Sequence, residues 1–156
     1  GVVGVLATRQ TVQSASVARL VELYGADKQV LLQACPGLVE HVERADLHSP
    51  ETEALLRQFI APLLEQGADT LVLGCTHYPF LRDAMQRVAG AHVTLLDPAE
   101  AVARELVRRL GDPQHSGPSS RPGSVQFFTT GDVAHTQHAV THLWGRDASV
   151  QALPTP

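Results

Sequence analysis

Residues 70–79, T-L-V-L-G-C-T-H-Y-P, carry the strongest local signal in the chain. The apolar run ends at Gly74, which predicts a strand that is buried on both faces of a sheet. A thiol, a hydroxyl, an imidazole and a phenol follow directly, and the proline after them favours a helix over residues 80–88. The thiol of Cys75 is therefore expected near a helix amino terminus at the carboxyl end of a parallel strand, where open α/β sheets bind ligands.

The segments around this stretch alternate between strand and helix patterns. Strands are predicted at residues 2–6, 29–33 and 92–96, and helices at residues 8–24, 50–66 and 99–110. Pro36 and Gly37 argue against regular structure in residues 34–43. This βαβαβαβα order predicts an α/β fold, a parallel sheet with flanking helices. Four strand ends then share one edge of the sheet, at Thr8, Cys35, Cys75 and Asp97.

The composition divides the chain into three parts. Residues 1–110 contain the α/β domain with its last helix, and the run G-D-P-Q-H-S-G-P-S-S-R-P-G at residues 111–123 is typical of a flexible linker. Residues 124–156 contain a predicted strand at 125–129 and a helix that Asp132 caps. This carboxyl-terminal segment is too small for a core of its own, so we expect it to pack on the main sheet or on a domain that the chain lacks.

Length and charge restrict the classes of function. With 156 residues and 44% hydrophobic content, the chain can bury a core. A net charge of -4 with scattered cations argues against nucleic acid as a partner, and no apolar run has the length of a membrane span. We therefore expect a cytoplasmic protein with reduced cysteines. Because the chain starts at Gly1, inside an apolar run and without a methionine, we expect a piece of a longer protein.

Cys75 is the first candidate catalytic residue. Thiols near a helix amino terminus and beside an imidazole are readily deprotonated, and they then act as bases or nucleophiles. His77 can serve as acid, base or charge partner, and Thr76 with the loop amides can hold a carboxylate. The alternative is a buried, inert cysteine, which is the common state of a free thiol. The polar residues that follow the strand favour the reactive cysteine.

Other loops at the same edge supply further candidates. Glu43 can point across the strand ends towards Cys75 and act on His77, although Glu40 fits the pattern equally and either acid can be merely solvated. Thr8 and Thr11 are three residues apart, so both hydroxyls can reach one ligand or one of them can cap a helix.

Several residues with reactive side chains are assigned structural roles. Cys35 is expected to pack in the core, and Asp97 is expected to cap the turn before the next helix. His135, His138 and His142 have a spacing seen in metal sites, but no cysteine or carboxylate accompanies them. We therefore predict a solvated helix face and no metal site.

Four segments carry a family resemblance when they are taken in order. They are G-V-L-A-T-x-x-T at residues 4–11, A-C-P-x-x-V-x-x-V-E at 34–43, L-G-C-T-H-Y-P-F-L at 73–81 and F-F-T-T-G-D at 127–132. The chain thereby resembles the glutamate racemases of the aspartate/glutamate racemase family. G-C-T-H-Y-P is the most specific of the matches.

The resemblance implies the interconversion of L- and D-glutamate without a cofactor, supplying D-glutamate for peptidoglycan, the cell wall and cell shape. Two thiols on opposite faces of the substrate do the chemistry, because the α-proton leaves from one face and returns to the other. Cys75 matches one of these thiols, with His77 and Glu43 as catalytic partners. Substrate contacts are implied for four residues: Thr76, His77, Thr8 and Thr11.

The chain also departs from this family. The family's other catalytic thiol lies in an A-C-N-T segment of an amino-terminal domain that also has an aspartate in D-S-G, and this sequence contains neither. The resemblance implies one of two pseudo-symmetric domains plus an orphaned return segment with an unpaired strand edge. Such a chain carries half a site, so we expect it not to racemise glutamate without the missing amino-terminal domain. The resemblance leaves a homodimer open.

Three other functions remain open at this point. The chain fits another amino-acid racemase of the same family, or a non-catalytic module that binds a carboxylate. It also fits a thiol hydrolase built on Cys75, His77 and Glu43.

Overall fold

The computed structural model describes residues 1–25, 27–110 and 124–154. The chain divides into two compact units, Gly1–Pro98 and Ala99–Pro156. The boundary lies before the helix predicted at residues 99–110, whereas the sequence placed that helix with the first domain. The linker predicted at residues 111–123 lies outside the described residues.

A four-stranded parallel sheet forms the centre of the first unit. Its strands are β1 (Val2–Ala7), β2 (Gln29–Ala34), β3 (Ala68–Leu73) and β4 (Thr94–Leu96), in the spatial order β2-β1-β3-β4. The parallel sheet of the predicted α/β fold is therefore confirmed. β4 starts later than the predicted residue 92. The side-chain amide of Gln86 donates from Nε2 to the carbonyls of Gly90 (2.8 Å) and Val93 (3.0 Å) and holds a turn there.

Five helices connect these strands: α1 (Arg9–Val12), α2 (Ala15–Tyr24), α3 (Leu38–Glu43), α4 (Pro50–Glu65) and α5 (Arg82–Ala89). The helix predicted from a cap at Thr8 or Thr11 to Tyr24 begins and ends as expected but is not continuous. Ser14 Oγ donates to the Thr11 carbonyl (2.8 Å) and accepts from the Val17 amide (3.2 Å), so one side chain closes α1 and caps α2.

The irregular structure predicted for residues 34–43 is wrong in its second half. Gly37, at φ 92°, turns the chain, and α3 begins at the next residue. Leu38 and Val42 then lie one helical turn apart, and both are fully buried. Pro36 and Gly37 therefore precede a helix instead of interrupting one.

The two faces of the sheet are covered unequally. α4 packs on β2 and β3 and against α5, and its side chains Leu56, Ile60 and Leu63 are buried. On the opposite face, side chains of β1, β2 and α2 line an open apolar groove, where Tyr24 is 79% exposed. In β3, Val72 is only half-buried. The prediction that β3 is buried on both faces is therefore wrong, because α2 lies beside this face without covering it.

The second unit contains α6 (Ala99–Leu110), β5 (Phe127–Thr129), α7 (Val133–Trp144) and β6 (Val150–Ala152). β5 pairs in parallel with β6. One edge of β5 is therefore occupied, whereas the sequence predicted a strand with an unpaired edge in this segment. Asp132 caps α7 as predicted, because its carboxylate accepts from the His135 amide at 2.7 Å. Within the described part of the chain, no helix combines the length and the apolar character that a membrane span requires.

The turn after α3 contains a residue in the left-handed conformation. Ala45 has φ 57°, and the Ala45 and Asp46 amides donate to the carbonyls of Val42 (2.8 Å) and His41 (2.9 Å). A side chain costs about 1–2 kcal/mol in this conformation, whereas glycine costs about 0.5–1 kcal/mol of extra backbone entropy. We expect Ala45→Gly to raise the free energy of unfolding by about 0.5–1 kcal/mol in urea denaturation.

The matched control for this prediction is Ala54→Gly, on an exposed position inside α4. Because glycine is unfavourable within a helix, this variant should lose about 1 kcal/mol. Equal losses in the two variants would show that the conformation of Ala45 carries no strain.

Candidate functional site

The carboxyl ends of the parallel strands bring the predicted loops to one edge of the sheet. Backbone hydrogen bonds continue beyond the strands, from the Cys35 amide to the Ala7 carbonyl (2.9 Å) and from the Gly74 amide to the Leu6 carbonyl (2.8 Å). The loops that begin at Thr8, Cys35 and Cys75 therefore leave the sheet side by side. The loop after β4, which contains Asp97, begins at the same edge.

Three side chains form a continuous polar chain across two of these loops. Cys75 Sγ lies 3.7 Å from His77 Nδ1, and His77 Nε2 lies 3.5 Å from Glu43 Oε1. The imidazole therefore has one nitrogen at the thiol and the other at the carboxylate. Such an arrangement orients a histidine so that it can hold or transfer a proton beside the sulfur. Of the two acids that the sequence left open, the structure places Glu43 against His77.

The contact between His77 and Glu43 is open to solvent. The side chain of His77 is 32% exposed and that of Glu43 is 55% exposed. Ion pairs at such positions stabilise a fold by only about 0–1 kcal/mol, because water screens them. The contact therefore matters through the orientation that it gives the imidazole.

Thr8 and Thr11 form a pair of half-buried threonines. They follow β1, which lies beside β3, the strand that precedes Cys75. Their Oγ1 atoms are 2.8 Å apart, and Thr8 Oγ1 also accepts from the Thr11 amide at 3.2 Å. Thr8 therefore caps α1, and the two hydroxyls remain adjacent, as the spacing predicted. Thr76 is exposed in the loop between the thiol and the imidazole.

The helix predicted over residues 80–88 is wrong in its start. A 3-10 turn spans Tyr78–Leu81, and α5 begins only at Arg82. The cause is local, since the Tyr78 amide donates to the Cys75 carbonyl at 3.1 Å and starts a tighter turn. An α-helix amino terminus does not follow the thiol directly, and the charged or polar side chain beside Cys75 Sγ is His77, 3.7 Å away.

Tyr78 is a structural anchor, although the sequence places its phenol among the polar groups that follow the strand. Its ring is fully buried, and its hydroxyl donates to the Cys35 carbonyl at 3.3 Å. Burial raises the pKa of Tyr78 well above its usual range, and the thiol of Cys35 adds to the effect. The neutral phenol thus joins the loop after β2 to the loop after β3. A tyrosine before a proline fits an exposed ring equally well, so the sequence carried no signal for this role.

The two thiols differ in their surroundings. Cys35 is 2% exposed, and its Sγ donates to the Gln33 carbonyl at 3.4 Å. Burial raises the pKa of Cys35 to about 12, so this thiol stays protonated at neutral pH and has no acid/base role. Cys75 is only partly buried and has an imidazole beside it. Of the two, Cys75 has the environment of a reactive thiol.

Two of the histidines of α7 lie against each other on the helix surface. His138 and His142 stack with ring centroids 6.4 Å apart. Among the residues that the structure describes, no three histidine, cysteine, aspartate or glutamate side chains are grouped so that they could hold a metal ion.

Comparison with known sequences identifies relatives of this chain. Residues 1–106 match the family model described as Asp/Glu/Hydantoin racemase. A glutamate racemase of Herpetosiphon aurantiacus is 50% identical over 135 residues, which are 86% of this chain and 53% of that protein.

Comparison with solved structures agrees. A glutamate racemase isoform of Bacillus anthracis superposes with a TM-score of 0.81 at 33% identity, covering 99% of this chain and 58% of the other. The Escherichia coli glutamate racemase, solved with L-glutamate and an activator, gives a TM-score of 0.79 at 25% identity, over 98% of this chain and 58% of the other. This chain therefore spans little more than half the length of the proteins that it matches.

Proposed function

Since this chain belongs to the Asp/Glu/Hydantoin racemase family, we propose that it supplies the Cys75 half of the active site of a glutamate racemase. The observation that carries the proposal is the contact between Cys75 Sγ and His77 Nδ1 at the carboxyl edge of the sheet. We assign glutamate as the substrate because the relatives named above are glutamate racemases. The corresponding role is to supply D-glutamate in the cytoplasm for the synthesis of peptidoglycan.

In the proposed reaction, the Cys75 thiolate removes the α-proton from one face of glutamate, and the electron pair of the C–H bond remains on the α-carbon. A second thiol in the missing half then delivers a proton to the opposite face, which inverts the centre. In the reverse direction, Cys75 delivers the proton. The carbanion needs hydrogen-bond donors around the substrate carboxylate, because no cofactor takes up its charge.

The remaining site residues have supporting roles in this proposal. His77 stabilises the thiolate and Glu43 orients the imidazole, which keeps the sulfur ready to accept a proton. Thr8, Thr11 and Thr76 supply hydroxyls to the substrate carboxylates. Together with Cys75 they form one half of the proposed site, and the amino-terminal domain of a full-length racemase supplies the other half.

The test joins residues 1–156 to the amino-terminal portion of the Herpetosiphon aurantiacus relative and follows the optical activity of L- and D-glutamate. We expect the joined protein to racemise both enantiomers, while residues 1–156 alone racemise neither. Aspartate is the comparison substrate, and faster turnover of aspartate would assign the chain to another racemase of the family. A folded joined protein that binds glutamate without racemising it would refute the proposal in favour of a carboxylate-binding module.

A further inference from the structure

Four polar side chains form a cluster where α3 meets α4: His41 of α3, Asp46 of the turn, Ser49 at the cap of α4 and Thr52 of α4, here called the turn cluster. His41 Nδ1 lies 2.9 Å from Asp46 Oδ2 and 2.7 Å from Thr52 Oγ1. Ser49 Oγ donates to Asp46 Oδ2 at 2.8 Å, and Thr52 Oγ1 donates to the Asp46 carbonyl at 2.9 Å. Each member of the turn cluster therefore contacts Asp46.

These contacts determine where the proton of the His41 ring lies. Burial opposes ionisation of Asp46, but hydrogen bonds from Ser49 and His41 outweigh it and hold the pKa of the carboxyl below its usual range. The ionised Asp46 can only accept, so Nδ1 of His41 carries a proton and donates it to Oδ2. The Thr52 hydroxyl commits its own proton to the Asp46 carbonyl and presents a lone pair to Nδ1. The one Nδ1 proton of His41 is then shared between Asp46 Oδ2 and Thr52 Oγ1, and Ser49 Oγ also lies 3.0 Å from Thr52 Oγ1.

The turn cluster connects α3 to a rigid part of the core. Thr52 is fully buried in the first turn of the long helix α4, whereas α3 consists of residues 38–43 alone. A helix this short is not stable by itself in water, so it depends on contacts with the rest of the fold. Leu38 and Val42 bury one side of α3, and the bond from His41 to the turn cluster fixes its rotation about its own axis.

The same helix carries Glu43, whose carboxylate lies 3.5 Å from His77 Nε2. Because His41 and Glu43 are two residues apart, they project from different sides of α3. A rotation of α3 that released His41 would therefore move the Glu43 carboxylate away from the imidazole.

We propose that His41, Asp46 and Thr52 are positioning residues that set the rotation of α3 and thereby hold the Glu43 carboxylate against His77. This rests on the proposed role of Glu43 in the glutamate racemase site. Among the described residues, no hydrogen bond or ion pair joins any of the three to Cys75 or His77, so we expect them to act through the position of α3.

The test uses the 15N chemical shifts of the His77 ring in residues 1–156 at neutral pH, which report the hydrogen bonds of Nδ1 and Nε2. Glu43→Gln defines the shift that follows loss of the carboxylate. We expect His41→Phe and Thr52→Val each to move the His77 signals in the same direction by at least about half of that shift. In the Glu43→Gln background, His41→Phe should add almost nothing, because the two changes act on one contact.

Two controls separate positioning from general destabilisation. His41→Asn keeps an N–H donor close to the place of Nδ1, so it should retain the wild-type His77 signals. Ser14→Ala removes the cap of α2 and should lower the free energy of unfolding by about 1 kcal/mol without moving those signals. Unchanged His77 signals in folded His41→Phe and Thr52→Val, or an equal change in Ser14→Ala, would overturn the proposal.

Kinetics of the joined protein give a second measurement. We expect His41→Phe to lower kcat about 10-fold while KM changes by less than about 2-fold, since a small displacement of a catalytic partner affects the proton-transfer step most. A loss confined to KM would contradict the positioning role. If the joined protein does not racemise glutamate at all, the proposed function fails, and the His77 signals still decide the role of the turn cluster.

Discussion

Cys75→Ala in the joined protein is expected to reduce the turnover of both glutamate enantiomers by about 10²–10⁴-fold, which is the range that a positioned acid/base group contributes. The variant removes the proton carrier on one face and leaves the carrier on the other. Turnover is measured by the optical activity of L- and D-glutamate under saturating substrate. Cys75→Ser should be similarly impaired, because a hydroxyl is a much weaker acid than a thiol.

The matched control is Cys35→Ala, which removes the other thiol of the chain. Cys35 is buried and bonded to the Gln33 carbonyl, so its loss should leave kcat within about 3-fold. Exchange of the α-proton in D2O gives an independent measurement. Cys75→Ala should still exchange the α-proton of one enantiomer through the remaining thiol, whereas the other enantiomer should be inert. Racemisation at the wild-type rate in Cys75→Ala would remove Cys75 from the mechanism.

The parts of the fold that could be predicted depend on short-range signals. Apolar runs that end in glycine or in polar loops identified all four strands of the sheet, and their alternation with helices implied the parallel order. The common edge for Thr8, Cys35 and Cys75 followed from that order alone. These features require no knowledge of which side chains touch.

The errors arise where one side chain decides between two local structures. Ser14 ends α1 and caps α2, but its type fits the middle of an amphipathic pattern as well. The apolar signal for α3 consists of Leu38, Val39 and Val42 within six residues, which is too little to outweigh the preceding Pro36 and Gly37. The start of α5 was misplaced because a backbone hydrogen bond from the Tyr78 amide to the Cys75 carbonyl starts a tighter turn before it.

The candidate site shows the same limit. Sequence spacing put Glu40 and Glu43 on one short segment without choosing between them, because the choice depends on the rotation of α3. Long-range contacts with Thr52 set that rotation, and a periodicity argument cannot include them. The anchoring role of Tyr78 was likewise not predicted, because its partner, the Cys35 carbonyl, is distant in sequence.

Gly74→Ala is expected to lower the free energy of unfolding by about 1–3 kcal/mol, as forced overpacking does elsewhere. An added Cβ would lie 2.8 Å from the Leu6 carbonyl oxygen, 3.2 Å from Ala7 Cβ and 3.3 Å from Val5 Cγ1. The first of these atoms is backbone of the central strand β1 and already accepts from the Gly74 amide, so it cannot turn aside. The change should therefore push the start of the Cys75 loop away from β1. Urea denaturation measures the loss of stability.

The contrasting variant is Gly4→Ala, in the same sheet. Its added Cβ would meet the Leu71 and Leu63 side chains at 2.7 and 2.8 Å, and these are methyl ends that can adopt other rotamers. We expect a loss of about 1 kcal/mol or less and unchanged 15N signals from His77, while Gly74→Ala should move those signals because the loop itself shifts. If Gly74→Ala kept both the wild-type denaturation midpoint and the wild-type His77 signals, the close approach of β1 and β3 would not be what positions the thiol. If only Gly4→Ala kept them, the glycine in G-C-T-H-Y-P is required because the Leu6 carbonyl occupies the space that any side chain at residue 74 would need.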